Sequence, residues 1–410
     1  MARRLQTRED VLRWKNAQLD RFIRRTIRRV PFYENSGALR LDQLPIIDKA
    51  NLLANFERLN TKGVTFQEAR DALDRGDERV RGLVAGQSTG TSGNRGVFVI
   101  SDAERFTWLG VILAKTLPDF PFTRHKVALA LPGYSQLYAS AAETGRLAIR
   151  FFDLALGVDR WRDDLRSFAP DTIVAPPKVL RALAEGGGLR AKHVFSGAEV
   201  LDSIDREIIE AGLGARVREI YMATEGLFGV ACPDGVLHLA EDVVAFEWEH
   251  PPGSSELVAP IITDFTRSTQ IMARYRMNDL LRLSPTLCPC GSPLQAVASV
   301  EGRQDDVFHL KGGLGQGLVL VTPDVARNAV IDADRRIQDF RIVQTGPDQI
   351  ELSLDIALAP EAVSAAAASL SAALAKVGAT HVDIRLKAGL DIPLDQKLRR
   401  VRREWRPPQT

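Results

Sequence analysis

The sequence predicts an α/β protein in two parts: a large N-terminal domain of parallel βαβ sheets plus an antiparallel β-layer, then a small α+β C-terminal domain. Three observations carry that expectation. Short apolar runs alternate with helical patterns between Val97 and Tyr221, as in parallel strands joined by crossover helices. From Val236 the helical periodicity stops, and apolar segments of strand length replace it. Glycine punctuation after residue 302 then precedes a strand–turn–strand–helix–strand pattern that closes the chain.

Taken in order, residues 8–30 carry helical periodicity through Val11, Leu12, Trp14, Leu19, Phe22, Ile23, Ile27 and Val30, and Pro31 ends the pattern. Arg24, Arg25, Arg28 and Arg29 decorate the other face, which suits the solvated side of a packed helix. A basic face of this kind also suits membranes or acidic partners. Proline marks a further turn at Leu44-Pro45-Ile46.

Val97–Ile100 reads as a strand and Ala103–Leu117 as a helix. Strands follow at Val127–Leu131 and Ile149–Leu154, then the helix Asp159–Phe168. Next come strand Thr172–Ala175, helix Pro177–Ala184, strand His193–Phe195, helix Ile204–Ala211 and strand Val217–Tyr221. Parallel sheets bind ligands at the carboxyl ends of their strands, so the segments after Phe195 and Tyr221 are candidate site loops. Leu257–Thr263, Ile271–Arg276 and Leu280–Leu283 read as neighbouring antiparallel strands.

Gly312, Gly313, Gly315 and Gly317 suggest a linker, giving domains of residues 1–304 and 305–410. In the second, Phe340–Gln344, a Gly346-Pro347-Asp348 turn and Gln349–Ile356 form a hairpin. The alanine-rich helix Pro360–Val377 and the strand Val382–Leu386 complete it.

Bulk properties narrow the function. The 410 residues carry 54 Lys and Arg against 52 Asp and Glu, a net charge of +2 that argues against a nucleic-acid binder. No run of about 18 apolar residues suits a membrane span. The opening MARRLQTRED lacks the apolar core of a signal peptide, so a cytoplasmic protein is expected. Three cysteines make a disulfide framework improbable on arithmetic alone.

The first candidate site is the stretch Ser88-Thr89-Gly90-Thr91-Ser92-Gly93-Asn94-Arg95-Gly96. Its glycines let the backbone approach a ligand, and its hydroxyls and N–H groups can point at phosphate oxygens. Alone, the same residues describe a flexible surface loop. Four later stretches stand in sequence with it: Tyr221-Met222-Ala223-Thr224-Glu225-Gly226, Arg274-Tyr275-Arg276-Met277-Asn278-Asp279, Gly302-Arg303-Gln304-Asp305-Asp306, and Lys397 within Ile392-Pro393-Leu394-Asp395-Gln396-Lys397.

Together these stretches resemble the adenylate-forming superfamily of acyl-CoA synthetases, and within it the phenylacetate–CoA ligase branch and related coenzyme-adenylating synthetases. The resemblance covers nearly the whole chain, including Val30-Pro31-Phe32-Tyr33, Leu44-Pro45 and Lys49. It implies that Ser88, Thr89, Gly90, Thr91, Ser92 and Gly93 hold the β- and γ-phosphates of ATP. Asn94 stands where the family usually has lysine, and Arg95 beside it offers a guanidinium instead. The same resemblance implies that Met222, Ala223 and Thr224 meet the nucleotide, with the Thr224 hydroxyl at the α-phosphate and the Glu225 carboxylate holding Mg2+.

Gly197-Ala198-Glu199 resembles the segment beside the adenine, with Tyr221 placed to stack on that ring. Asp279 resembles the carboxylate that accepts both ribose hydroxyls, a two-oxygen task, although Met277-Asn278 replaces the usual Thr-Gly before it. Arg303 resembles a second nucleotide contact and Asp305 the hinge of a mobile C-terminal lid. Lys397 resembles the catalytic lysine of that lid, with Gln396 in place of a common glycine. As one charge among Arg399, Arg400, Arg402, Arg403 and Arg406 it also fits a solvated basic tail.

The implied chemistry is attack of a carboxylate on the α-phosphate of MgATP, then transfer of the acyl group to the thiol of CoA. An aromatic acid follows from the resembled branch alone, with Tyr134, Tyr221 and Ala198 as pocket walls. Other acceptors stay open: an acyl carrier protein, an amine or a cofactor, as does a nucleotide-binding protein without ligase activity. A homodimer is compatible with all of these.

Cys232, Cys288, Cys290 and His238 fall in one window. Three thiolates and an imidazole make a recognised structural zinc set, and zinc-bearing members of the resembled branch carry a similar arrangement. Buried free thiols are the alternative. The remaining histidines, His125, His193, His250, His309 and His381, stand singly and read as structural.

Overall fold

The computed structural model describes residues 5–38, 40–87, 96–131, 145–252, 254–313, 317–390 and 399–407. The chain forms two compact units. The first comprises Met1–Trp248, Pro260–Met277 and Leu283–Ala298; the second comprises Glu249–Ala259, Asn278–Arg282 and Ser299–Thr410.

The first unit opens with α1 (Arg8–Arg25), started by a capping box in which the Thr7 hydroxyl accepts the Asp10 N–H and the Asp10 carboxylate accepts the Thr7 N–H. The helix ends at Arg25, short of the expected Val30, because Ile27–Arg29 tighten into a 3-10 turn. Ile27 and Val30 are still 1% exposed each, so the apolar pattern outlasts the α-helix. After α2 (Lys49–Ala54) and α3 (Phe66–Asp74) comes a small antiparallel sheet of β1 (Arg79–Val80), β2 (Leu83–Gln87) and β3 (Val97–Ile100). Leu83, Ala85, Val97 and Val99 bury one face of it on Phe56, Val64 and Ala69.

The main body is the alternating stretch. It runs α4 (Asp102–Thr116), β4 (His125–Leu131), β5 (Leu147–Asp153), α5 (Val158–Phe168), β6 (Thr172–Ala175), α6 (Pro177–Glu185), β7 (His193–Gly197), α7 (Ser203–Leu213) and β8 (Val217–Ala223). The five strands are parallel in the order β5-β4-β6-β7-β8, as the alternation predicts. Two strands unforeseen in the sequence extend the sheet: β9 (Gly226–Ala231) pairs antiparallel with β8, and β10 (Leu237–Leu239) pairs antiparallel with β9.

Beyond β11 (Val244–Glu249) and β12 (Leu257–Asp264), the segment expected as strand over 271–276 reduces to β13 (Tyr275–Arg276), paired with Ile261 and Ile262 of β12. Arg274 takes φ +48, a left-handed turn that interrupts any extended run. Ile271, Met272 and Ala273 are buried without being strand, which is why their apolarity misled. β14 (Asp279–Leu283) and β15 (Ala296–Arg303) follow, and Ala296 and Val297 pair with β10.

In the second unit Leu257 and Val258 pair antiparallel with Arg282 and Leu281, and Leu257, Ala259, Leu280 and Val307 share a small core. β16 (Phe308–Lys311) and β17 (Leu318–Val321) form an antiparallel hairpin. Gly312, Gly313 and Gly317 therefore belong to a hairpin connection inside this unit, not to a linker as expected. α8 (Pro323–Ile331), β18 (Phe340–Gln344), β19 (Gln349–Leu354), α9 (Pro360–Lys376), β20 (Asp383–Ala388) and β21 (Val401–Arg403) complete it. The sheet order is β20-β19-β18-β21, with the β18–β19 hairpin flanked by parallel partners. Ala366, Leu370 and Leu374 of α9 pack on Ile342, Ile350 and Leu352. Among the described residues no helix is long and apolar enough to cross a membrane.

Candidate functional site

Within the first unit the candidate residues gather at the end of β8. Ala223 pairs with Gly226, so Thr224 and Glu225 form a two-residue hairpin tip, and a register shift at Tyr221/Met222 bends the strand just before it. Two side chains hold the tip. The Tyr275 hydroxyl donates to Glu225 Oε1 at 3.1 Å, and Arg267 Nη2 donates to the Thr224 carbonyl at 3.3 Å. Arg267 Nε lies 3.5 Å from Asp264 Oδ2. Burial pushes the Asp264 carboxyl above the usual carboxylate range, and the Arg267 charge opposes that shift. Tyr221 leans on Phe228, ring centroids 5.3 Å apart, and keeps a half-buried surface.

The segment beside β7 behaves differently from a simple exposed loop. Ala198 takes φ +70, so the chain turns sharply after Gly197. The Glu199 carboxylate lies 3.6 Å from Lys178 Nζ, with both side chains under a tenth exposed.

In the second unit Asp279 and Arg303, 24 positions apart in sequence, are brought within 4.0 Å of each other. Asn278 Nδ2 donates to Asp305 at 2.6 Å, and the Gln304 N–H donates to the Asn278 carbonyl at 2.7 Å. The backbone turn at 304–306 is also held by the arginines near the C-terminus. Arg403 Nε donates to the Asp305 carbonyl at 3.2 Å, and Arg399 pairs with the buried Asp306. Burial raises the Asp306 carboxyl and Arg399 pulls it back down. Arg400, 6% exposed, pairs with Asp339 at 3.1 Å. Arg399, Arg400 and Arg403 thus have defined partners instead of forming a uniformly solvated tail.

The ligand atoms of Cys232, His238, Cys288 and Cys290 all lie within 4.8 Å of one another. Cys232 and Cys288 sulfurs are 3.9 Å apart, and Cys290 Sγ is 3.4 Å from His238 Nε2. A tetrahedron with zinc–sulfur bonds of about 2.3 Å has edges near 3.8 Å, so four such atoms fit one ion. Both turns that aim the sulfurs need a left-handed glycine: Gly235 at φ +84 and Gly291 at φ +76. His238 Nδ1 lies 3.1 Å from the Leu294 carbonyl; with the proton on Nδ1 it donates there and leaves Nε2 free as the ligand. Burial also lowers the His238 pKa, favouring the neutral imidazole that ligates. Cys290 is exposed as a whole residue, yet desolvation first, and the thiols of Cys288 and Cys232 after it, push its thiol up to about 12. Crowded sulfurs without a cation resist ionising, and a dication reverses that balance.

Ser88, Thr89, Gly90, Thr91, Ser92, Gly93, Asn94 and Arg95 lie outside the described residues, as do Tyr134, Gln396 and Lys397. Two residues that hold the hairpin tip, Tyr275 and Arg267, were not singled out in the sequence. Tyr275 sat inside a quoted motif, but nothing local tells which carboxylate its hydroxyl reaches. Arg267 offered no signal beyond its charge.

No family model matches the chain. Over 214 residues it is 22% identical to the phenylacetate-coenzyme A ligase of Thermus thermophilus, a match covering 47% of this chain and 46% of that ligase. The chain therefore spans about half the length of the curated relative it matches. Among solved structures it is similar to 2-hydroxyisobutyryl-CoA ligase in the postadenylation state in complex with R3-HIB-AMP, at 17% identity and a TM-score of 0.67, covering 97% of this chain and 89% of that one. An acyl acid amido synthetase aligns at 11% identity and a TM-score of 0.60, covering 94% and 88%. These likenesses establish the fold.

Proposed function

We propose that this chain, which has the fold of adenylate-forming acyl-CoA ligases, uses ATP to activate a carboxylic acid as an acyl adenylate and passes the acyl group to the thiol of CoA. The observation that carries this reading is the hairpin tip at the end of β8, where Thr224 and Glu225 are held in place by Arg267 and Tyr275. A solved neighbour of this fold is a CoA ligase in complex with an acyl-AMP. An aromatic acid is the substrate class favoured by the partial likeness to phenylacetate-coenzyme A ligase.

In this reading the residues divide the work by their chemistry. The glycine-rich stretch 88–96 cradles the β- and γ-phosphates, with Arg95 supplying the charge that Asn94 does not. The Thr224 hydroxyl binds the α-phosphate and the Asp279 carboxylate accepts the ribose hydroxyls, with Arg303 beside it. Glu225 would hold Mg2+, whose charge screens the phosphates. Attack by the substrate carboxylate forms an oxygen–phosphorus bond and releases pyrophosphate; Lys397 of the mobile lid, residues 305–410, neutralises the charge that spreads in between. The lid then rotates about Asp305, and the thiol attacks the acyl carbon and releases AMP. The cluster of Cys232, His238, Cys288 and Cys290 would hold a Zn2+ in a structural, not a catalytic, role.

A second reading changes only the acceptor. It rests on the likeness to an acyl acid amido synthetase and places an amine, or a carrier-protein thiol, where CoA would react. Pyrophosphate release decides between them. With ATP, Mg2+ and a panel of aryl and alkyl acids, we expect release that requires an acid, is fastest with an aryl acid, and turns over steadily only with CoA. No release with any acid would overturn the ligase reading, and release indifferent to CoA would favour the second acceptor.

A further inference from the structure

We propose that Tyr275 is a positioning residue that fixes the Glu225 carboxylate for a divalent cation, an inference that rests on the adenylation reading above. Glu225 sits on a two-residue hairpin tip, where nothing in the strand ladder restrains its side chain. A glutamate free to rotate loses entropy when a cation orders it, and a partner that orders it beforehand removes that cost.

Tyr275 is built to be such a partner. It is 3% exposed, and its backbone is held on two sides: it pairs with Ile262 of β12 and bridges to Ile47. The Ile47 N–H donates to the Arg274 carbonyl at 3.0 Å, and the Arg276 N–H donates to the Ile47 carbonyl at 2.7 Å. The residue before it is fixed more heavily still. Arg274 is a non-glycine residue at φ +48, a conformation that persists only where the surroundings impose it. Its guanidinium grips Glu247 at 2.9 and 3.1 Å and the carbonyls of Leu44 and Asp42 at 2.7 and 3.0 Å, while its N–H donates to Thr263 Oγ1 at 2.9 Å. The turn at Arg274 therefore sets the direction in which Tyr275 leaves the sheet.

The choice of donor matters as much as its rigidity. A phenol hydroxyl orients Glu225 Oε1 at 3.1 Å without neutralising the carboxylate, and it leaves Oε2 available. An arginine or lysine in that place would compete with a cation for the same charge. Arg267, which is close by, spends its contact on the Thr224 carbonyl and its charge on Asp264. The hairpin tip is thus held by its backbone from one side and by its carboxylate from the other. A donor behind a metal-binding carboxylate is the usual outer support of such a site.

The test is Tyr275→Phe, which keeps the ring and removes only the hydroxyl, read by Mn2+ binding in the presence of a non-hydrolysable ATP analogue, followed by electron paramagnetic resonance. We expect Mn2+ to bind about tenfold more weakly than in the native protein. The KM for the acid and the thermal midpoint should be close to native. Glu225→Gln should abolish nucleotide-dependent Mn2+ binding, and adding Tyr275→Phe to it should change nothing further. Native Mn2+ affinity in Tyr275→Phe would overturn the proposal while leaving adenylation standing. Nucleotide-dependent Mn2+ binding that survives Glu225→Gln would instead overturn the role given to Glu225, and the proposal with it.

Discussion

Replacing Lys397 by alanine should slow acyl-adenylate formation by about a hundred- to a thousandfold, the usual loss when one preorganised charge contact to a transition state is removed. The same variant should transfer a preformed acyl adenylate to CoA within a few-fold of the native rate. The asymmetry follows from where charge develops. In the first half-reaction a carboxylate approaches an α-phosphate that is already anionic, and a compact ammonium is suited to offset that encounter. In the second, a thiol attacks a carbonyl, a step in which the proposed reading gives Lys397 no part. Arg402→Ala is the control: its partner Glu404 is equally exposed, at 50%, and such surface pairs contribute little. Stopped-flow measurement of each half-reaction separates the two effects. Equal losses in both would contradict the assignment, and no loss in either would return Lys397 to the basic tail.

The second large effect is on stability. Native protein purified without chelator should carry about one zinc per chain, and Cys288→Ser should carry none. Loss of the ion should cost several kcal/mol of folding stability, because a closed four-ligand site contributes its binding energy to the fold. The part that loosens should be the turn at 232–235 and the loop at 288–294, whose Cys232, Cys288 and Cys290 sulfurs lie within 4.8 Å of one another and of a His238 ring nitrogen. The pH dependence has a definite sign. Ion-bound sulfurs are held as thiolates, far below their usual pKa, so this stability is present at neutral pH and is lost as pH falls and protons displace the ion. In the metal-free protein the sign reverses: with the Cys290 thiol pushed up to about 12, the folded state favours the neutral form and loses stability as pH climbs towards that value. Thermal melts across pH, with and without chelator, read both slopes. Chelator-treated protein that melts like the native would contradict the zinc assignment.

How much of this was legible in the sequence depended on the range of the interaction that fixes each residue. Val97–Ile100, Thr172–Ala175 and Phe340–Gln344 are short apolar runs whose local pattern already encodes a strand, and the structure has them at those bounds. Gly226–Ala231 was invisible because Gly-Leu-Phe-Gly-Val-Ala lacks β-branched density, and its strand character comes from pairing with β8 and β10. Ile271–Ala273 erred the other way: burial made them apolar, but the left-handed Arg274 breaks the extension. Gly312, Gly313 and Gly317 punctuate a hairpin, and punctuation alone cannot distinguish a hairpin from a linker.

The candidate site divides along the same line. Cys232, His238, Cys288 and Cys290 could be grouped from residue type alone, since few other chemistries use that set. The proximity of Asp279 and Arg303 was implied only through a resemblance. The pairs Tyr275–Glu225, Arg267–Thr224 and Lys178–Glu199 join residues 21 to 50 positions apart, and no local pattern announces them.

One measurement tests adenylation most directly. If the acid is labelled with 18O in its carboxylate and turned over with ATP, Mg2+ and CoA, one labelled oxygen should end in the phosphate of AMP. That oxygen bridges carbon and phosphorus in the acyl adenylate, and thiol attack at carbon leaves it on phosphorus. Mass spectrometry of the AMP should therefore show a single label, with none in pyrophosphate. Unlabelled AMP, or label appearing in inorganic phosphate, would mean that the acid is activated by another route.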